Sequence, residues 1–310
     1  MTIQYLVTHS GGFHADELLS SVILTRLFPQ ATLVRSRDAA WTTPAEDRII
    51  YDVGREYDAD RNIYDHHQKP APLREDEQPY SSFGLIWKHF GADYLRAMDV
   101  PDAHIDTLHA KIDKGVVLPI DLMDNGAMEP SVAGPLSGLT LPVLLETLKP
   151  AFDDPRPDAD DNAFAEGLGV ARSLVEAAVR GRAGKLRAYG MVVTAIEAAG
   201  ENRVLELPMG MPFRSAVEDT GADHLLYCIH PRAEDWTLTG IRKGGDTFDL
   251  RADLPEAWAG LTDAALEDAC GVKGAKFCHN GRFIAVASSR EAIVEMAQLA
   301  VKDAEARAQD

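Results

Sequence analysis

Apolar residues open the chain in a short run, Tyr5 to Thr8. A Gly-Gly turn follows, then a stretch in which Leu18, Leu19, Val22, Ile23 and Leu27 recur at helical spacing. This pattern predicts a strand and then a helix from about Ala15 to Phe28. Three further runs rich in Ile and Val come next: Ala31 to Ser36, Arg48 to Gly54 and Arg61 to His67. Short continuous apolar strands are ordinarily parallel and covered on both faces. The first third therefore predicts an α/β layer.

Beyond a loop from Gln68 to Pro79, the periodicity predicts helices at Ser81 to Met98, Asp102 to about Lys114 and Leu141 to Leu148. The stretch Ala151 to Ala163 is acidic and contains proline, and reads as a solvated connector. A helix at about Phe164 to Arg180 follows, with a domain boundary placed just beyond it, near Gly181 to Gly190. That division gives domains of 1–185 and 186–310. In the last third, strands are predicted at Arg203 to Pro208, His224 to Pro231 and Asp235 to Lys243. A helix at Ala265 to Cys270 precedes a hairpin over Lys276 to Ser288, turning at Asn280-Gly281, and a terminal helix starts at about Ser289.

With 310 residues, 45% of them hydrophobic, the chain can bury a sizeable core. No apolar run approaches the roughly 20 residues of a membrane span. The first residues lack the basic-then-apolar layout of a secretory signal, so the expected location is the cytoplasm. Three scattered cysteines, Cys228, Cys270 and Cys278, make no disulfide framework and read as reduced core residues. A net charge of −18 opposes broad capture of duplex nucleic acid. It allows a small anion or a short single strand, provided that local cations and bound metal reverse the field in a cleft.

Four places put metal-type ligands at or just beyond the end of a predicted strand or helix: His9, His14 and Asp16; Asp52; Asp65, His66 and His67; and Asp121 with Asp124. In an open α/β sheet, sites form outside the carboxyl ends of the strands, so the first three groups should meet in one crevice. Imidazoles and carboxylates without thiolates favour Mn²⁺, Fe²⁺, Co²⁺ or Zn²⁺ over an all-oxygen calcium cage. The ligands exceed what one ion needs. Two ions sharing a carboxylate and a hydroxide is the arrangement used in phosphoester hydrolysis. Asp16 reads as a site residue. Glu17 reads equally as one and as a complement to the helix dipole.

The segments THSGGFHADE, YDVG, DHHQK, SSFGLIWKHFG and DLMDNG occur in this order, and LPEAWAGL and GAKFCHNGRFIA follow them. Together they resemble the Myg family, named for the melanocyte proliferating gene protein and a divergent branch of the DHH phosphoesterases. The resemblance covers almost the whole chain. It implies an α/β fold, with an N-terminal parallel-sheet DHH-type domain and a smaller C-terminal α/β domain closing over the cleft. It also implies Mn²⁺-dependent phosphodiester hydrolysis, and within the family a 3′-to-5′ exonuclease acting on RNA. His9, His14 and Asp52 would hold one ion; Asp16, Asp52, His66 and an acid of DLMD, either Asp121 or Asp124, would hold the other. One departure is that related DHH enzymes have an aspartate where this chain has His14, which removes a negative charge from the first site.

The expected chemistry is in-line attack by a hydroxide activated between two Mn²⁺ ions, with Mg²⁺, Co²⁺ or Zn²⁺ as alternatives. Asp65 is expected to orient His66, and His67 to act as the acid toward the leaving oxygen. Arg282 suits bidentate phosphate binding, with His279 beside it; Lys69 is a further candidate substrate contact. Single-stranded RNA is the leading partner. A small phosphodiester or polyphosphate substrate is the competing enzyme reading, and a non-catalytic nucleotide-binding protein the reading from another class. No membrane partner is expected, and a homo-oligomer stays open.

Overall fold

The computed structural model describes residues 2–244 and 247–308, in two compact units, Met1–Ala183 and Gly184–Asp310. In the first unit the elements run β1 (Tyr5–Thr8), α1 (Ala15–Leu27), β2 (Thr32–Arg35), α2 (Ala39–Thr42), β3 (Arg48–Tyr51), β4 (Tyr57–Asp58) and β5 (Ile63–Tyr64). Helices α3 (Ser82–Ala97), α4 (Asp102–Ile112), α5 (Leu118–Asp124) and α6 (Leu141–Glu146) follow, and then α7 (Ala159–Ala199), whose residues fall partly in each unit. The sheet has the order β2-β1-β3-β5-β4; β2, β1, β3 and β5 are parallel, and β4 closes one edge antiparallel.

Leu6, Val7, Ile49, Ile50 and Ile63 are essentially inaccessible, as strands covered on both faces require. Every residue of α1 from Ala15 to Leu24 is buried, including Asp16, Glu17, Ser20 and Ser21. The helix is thus enclosed all round rather than amphipathic, and four polar side chains must find a use inside. Parallel register sets the last residues of β1, β3 and β5 side by side, so that His9, Asp52 and Asp65 leave the sheet from one end.

The second unit contains β6 (Val204–Glu206), α8 (Arg214–Asp219), β7 (Tyr227–Arg232), β8 (Asp235–Gly240), α9 (Asp263–Cys270), β9 (Ala275–Cys278), β10 (Ile284–Ala287) and α10 (Arg290–Arg307). Its sheet has the order β6-β7-β8-β10-β9, antiparallel except for β6 on β7. Tyr227, Leu238, Trp258, Ala285, Ile293 and Met296 are at the centre of its core. The three cysteines are free thiols. Among the described residues no helix is long and apolar enough to cross a membrane.

Several elements differ from the sequence reading. Helix α7 begins inside the acidic connector and passes through Gly181, Gly184 and Gly190 without a break. Each glycine costs a helix about 1 kcal/mol relative to alanine. Burial of Val179, Ala183, Ala188 and Val192 along the same helix outweighs that preference. Helices α2, α5 and α8 and the edge strand β4 have no counterpart in the sequence reading.

Candidate metal centre

Four sequence segments meet at the carboxyl ends of β1, β3 and β5. They line a cavity of about 790 Å³ whose wall includes His9, His14, Asp52, His66, His67 and Asp124. At the first segment, β1 ends in a turn that needs positive φ at Gly11, which stands at 90°. Arg35 donates to the Gly11 carbonyl and holds the turn. His14 caps α1: its backbone N–H donates to both oxygens of Glu17 at 2.9 Å.

His9 is buried, with Nε2 3.0 Å from Glu17 Oε1 and 3.2 Å from Asp52 Oδ2. Burial alone would pull its pKa down, but the Asp52 and Glu17 carboxylates push it up to about 10. Asp52 is central. Its Oδ1 lies 3.4 Å from His66 Nε2 and accepts from Ser82 Oγ at 3.4 Å. Against burial, which favours the neutral acid, His66 and His9 hold the Asp52 carboxyl well below the usual carboxylate range. Its backbone takes φ of 54°, a left-handed conformation that a non-glycine residue adopts at a cost of about 1 kcal/mol or more.

The third segment is Asp65-His66-His67. Asp65 accepts from the backbone N–H groups of Arg55, His66 and His67 at 2.6, 2.7 and 3.1 Å, and from His67 Nδ1 at 2.7 Å. Asp65 therefore orients His67, not the His66 ring as the sequence suggested. The hydrogen bond from Asp65 raises the pKa of His67. His66 instead presents Nε2 to Asp124 Oδ2 at 3.3 Å, and its Nδ1 lies 3.3 Å from Asn125 Oδ1. Burial lowers its pKa by itself, but Asp52 and Asp124 carry it up to about 9.

The fourth segment separates its two acids. Asp124 faces His66 at the cavity wall. Asp121, three residues earlier on α5, is fully buried and already occupied: Arg74 Nη2 and Ser81 Oγ each donate to it at 2.6 Å, and Gly84 N–H at 3.0 Å. Three internal donors already hold Asp121, whereas Asp124 lines the cavity wall, so Asp124 is the acid of this segment that the geometry brings to the site.

Asp16 supplies the test of whether a cation fits. It is fully buried, and neither carboxylate oxygen has a hydrogen-bond partner. Burial, then the charges of Asp52, Asp124 and Glu17, raise its pKa well above the ordinary value. Uncompensated carboxylates at such close quarters are costly in a low-dielectric interior. Among the described residues, four overlapping groups could each hold an ion with ligand atoms within 4.8 Å: His9, His14 and Glu17; His14, Asp16 and Asp124; Asp16, Glu17 and Asp52; and Asp52, Asp65, His66 and His67. The donor set fits divalent cations.

The sequence reading left Asn125, Arg37 and Arg55 unnoticed at this cavity. Asn125 stood in plain view within DLMDNG; the two arginines carried no pattern. Lys69 is exposed and does not line the cavity wall. Arg282 and His279 belong to the second unit. Arg282 sits at φ of 54° between β9 and β10, with Nη2 3.1 Å from Asp253 Oδ2. His279 Nδ1 accepts from Gly281 N–H at 2.9 Å.

A parallel sheet with imidazoles and carboxylates gathered at its strand ends defines an α/β protein whose site could hold divalent cations. The sequence model of the MYG1_exonuc family, Uncharacterised protein family (UPF0160), matches residues 5–301, and the chain belongs to this family. It is 30% identical to the MYG1 exonuclease of Homo sapiens over 94% of this chain and 84% of that protein. It is 29% identical to MYG1 protein C694.04c of Schizosaccharomyces pombe over 96% and 97%. Among solved structures, the exonuclease RecJ bound to manganese is similar, at 13% identity and a TM-score of 0.27, over 97% of this chain and 90% of that one.

Proposed function

We propose that the chain is a metal-dependent phosphodiesterase, an exonuclease that removes nucleotides from single-stranded RNA in the 3′-to-5′ direction. The observation that carries the reading is the convergence of His9, Asp52, His66 and Asp124 on one cavity, with the unpartnered Asp16 carboxylate behind it within reach of ligand atoms of Asp52 and Asp124. Relatives named MYG1 exonuclease support the activity; RNA and polarity follow from the resemblance of the motifs. Two ions, with Mn²⁺ preferred, would be held by His9, His14 and Asp52 and by Asp16, Asp52, His66 and Asp124. When bound, they would lower the pKa of water to near 7 and neutralise charge on the phosphate.

The side chains divide the remaining work. Asp65 accepts from His67 Nδ1 and favours the protonated imidazole, whose far ring nitrogen would give a proton to the leaving oxygen. His67 is about half-exposed, as contact with a substrate requires. Arg37 and Arg55 at the cavity wall reverse the acidic field locally. Lys69 of the first unit, and Arg282 and His279 of the second, are assigned to the substrate phosphates.

The test is hydrolysis of single-stranded RNA with and without Mn²⁺. Nucleoside monophosphates should appear only with the metal, and Asp52→Ala and His66→Ala should abolish them. Equal turnover in chelator overturns the reading. The net charge of −18 favours a second version, in which the substrate is a dinucleotide or another small phosphodiester. Faster cleavage of RNA about 2 nucleotides long than of longer strands would select it.

A further inference from the structure

We infer that Glu17 is itself a metal ligand, completing with His9 and His14 the binding position of one divalent cation. The inference rests on the metal-dependent reading of the same site. Its starting point is the His9 ring. His9 Nδ1 lies 3.3 Å from the Ser10 carbonyl, which can only accept, so this nitrogen carries a proton. Nε2 is then the ligating position. It faces Glu17 Oε1 at 3.0 Å and Asp52 Oδ2 at 3.2 Å. In the metal-free protein the imidazole proton lies where these three atoms converge, and a cation that displaces it would meet all three together.

His14 joins the same point, because ligand atoms of His9, His14 and Glu17 all lie within 4.8 Å of one another. Two neutral imidazoles bring no charge to a divalent ion. Glu17 brings a full negative one. An independent observation aims at the same place: the buried, unpartnered carboxylate of Asp16 has an oxygen within 4.8 Å of ligand oxygens of both Glu17 and Asp52.

The competing role for Glu17 is the helix cap. Both oxygens accept the His14 N–H at 2.9 Å, yet a carboxylate has about four acceptor positions and keeps others free. A cap also works at the surface, where its carboxylate stays hydrated. Glu17 is instead wholly buried beside Asp16, a costly place for a carboxylate whose only task is to cap a helix.

Glutamine also serves in a capping box, so Glu17→Gln keeps the cap and removes the charge. The experiment titrates Mn²⁺ into the chelator-treated full chain and its variant, following heat of binding and the electron paramagnetic resonance of free Mn²⁺. Wild type should bind two ions; Glu17→Gln should lose one, or bind it at least tenfold more weakly, with its helical circular dichroism unchanged. Two ions at unchanged affinity in Glu17→Gln overturn this inference alone. No Mn²⁺ on the wild type overturns the metal-dependent reading and this inference with it. Should Glu17→Gln not fold, anomalous scattering from wild-type crystals soaked in Mn²⁺ decides. An ion within about 2.3 Å of a Glu17 oxygen supports the assignment, and ions only beyond about 3.5 Å reject it.

Discussion

Arg74 donates at 2.6 Å to Asp121, a carboxylate with no exposed surface, and at 2.7 Å to Asp113. One guanidinium thus joins the loop before α3 to the helices that carry Asp124. Removing one partner of a buried pair strands the other charge. Arg74→Ala is expected to lower stability by about 3–5 kcal/mol, read from urea unfolding. A loss below about 1 kcal/mol would show that the pair is surface-like.

Gly84 is packed against the same carboxylate. A Cβ at this position would sit 2.1 Å from Asp121 Oδ2 and 2.7 Å from Tyr80 Cδ1. Gly84→Ala is expected to destabilise by about 1–3 kcal/mol through overpacking, although alanine is the better helix former. A neutral or stabilising effect in thermal unfolding would contradict the packing.

Asp16 offers a separation of stability from function. In chelator, Asp16→Asn should raise Tm, because it removes a buried charge crowded by Asp52 and Asp124. Saturating Mn²⁺ at 100 times Kd should stabilise wild type by about 2.7 kcal/mol for each ion bound, and this gain should largely vanish in the variant. A lower Tm in chelator would refute the account.

The metal-free protein should be sensitive to alkali. His9 and His66 have folded pKa values of about 10 and about 9, above an unfolded value of 6.5. Their contribution is fully present below about pH 6.5 and is lost as pH rises through 9 to 10. Asp52, held low, works in the opposite direction: its contribution is present above the unfolded value of 3.8 and is lost in stronger acid. Urea midpoints in chelator should fall between pH 6.5 and 10, while Mn²⁺, which competes with those protons, should stabilise more over the same window. A flat profile in chelator would rule this out.

His67 should be separable from metal binding. His67→Gln is expected to cut turnover about 10²- to 10⁴-fold with Mn²⁺ binding unchanged. Loss of an ion in the variant would make His67 a ligand, since it shares a candidate group with Asp52 and His66.

The strands that position the site were legible because the parallel sheet leaves a plain signal: Tyr5–Thr8 and the Ile-rich run at Arg48 are continuous apolar segments. The site itself was partly legible. Strand ends announce His9, Asp52 and Asp65, whereas the choice between Asp121 and Asp124 depends on Arg74, 47 residues away from Asp121 in sequence, which no local pattern marks. Glu17 was obscured because an acid in the first helical turn has an ordinary electrostatic explanation. Helix α7 was misjudged for the opposite reason: its glycines speak locally for a break, and only burial of the residues around them decides otherwise.

The left-handed backbone at Asp52 has a bearing on engineering. Any procedure that selects residues by backbone comfort would exchange this aspartate for glycine or asparagine. Such a variant would lack the carboxylate reached by both His9 and His66, so a relaxed backbone at position 52 is a warning sign, not a success.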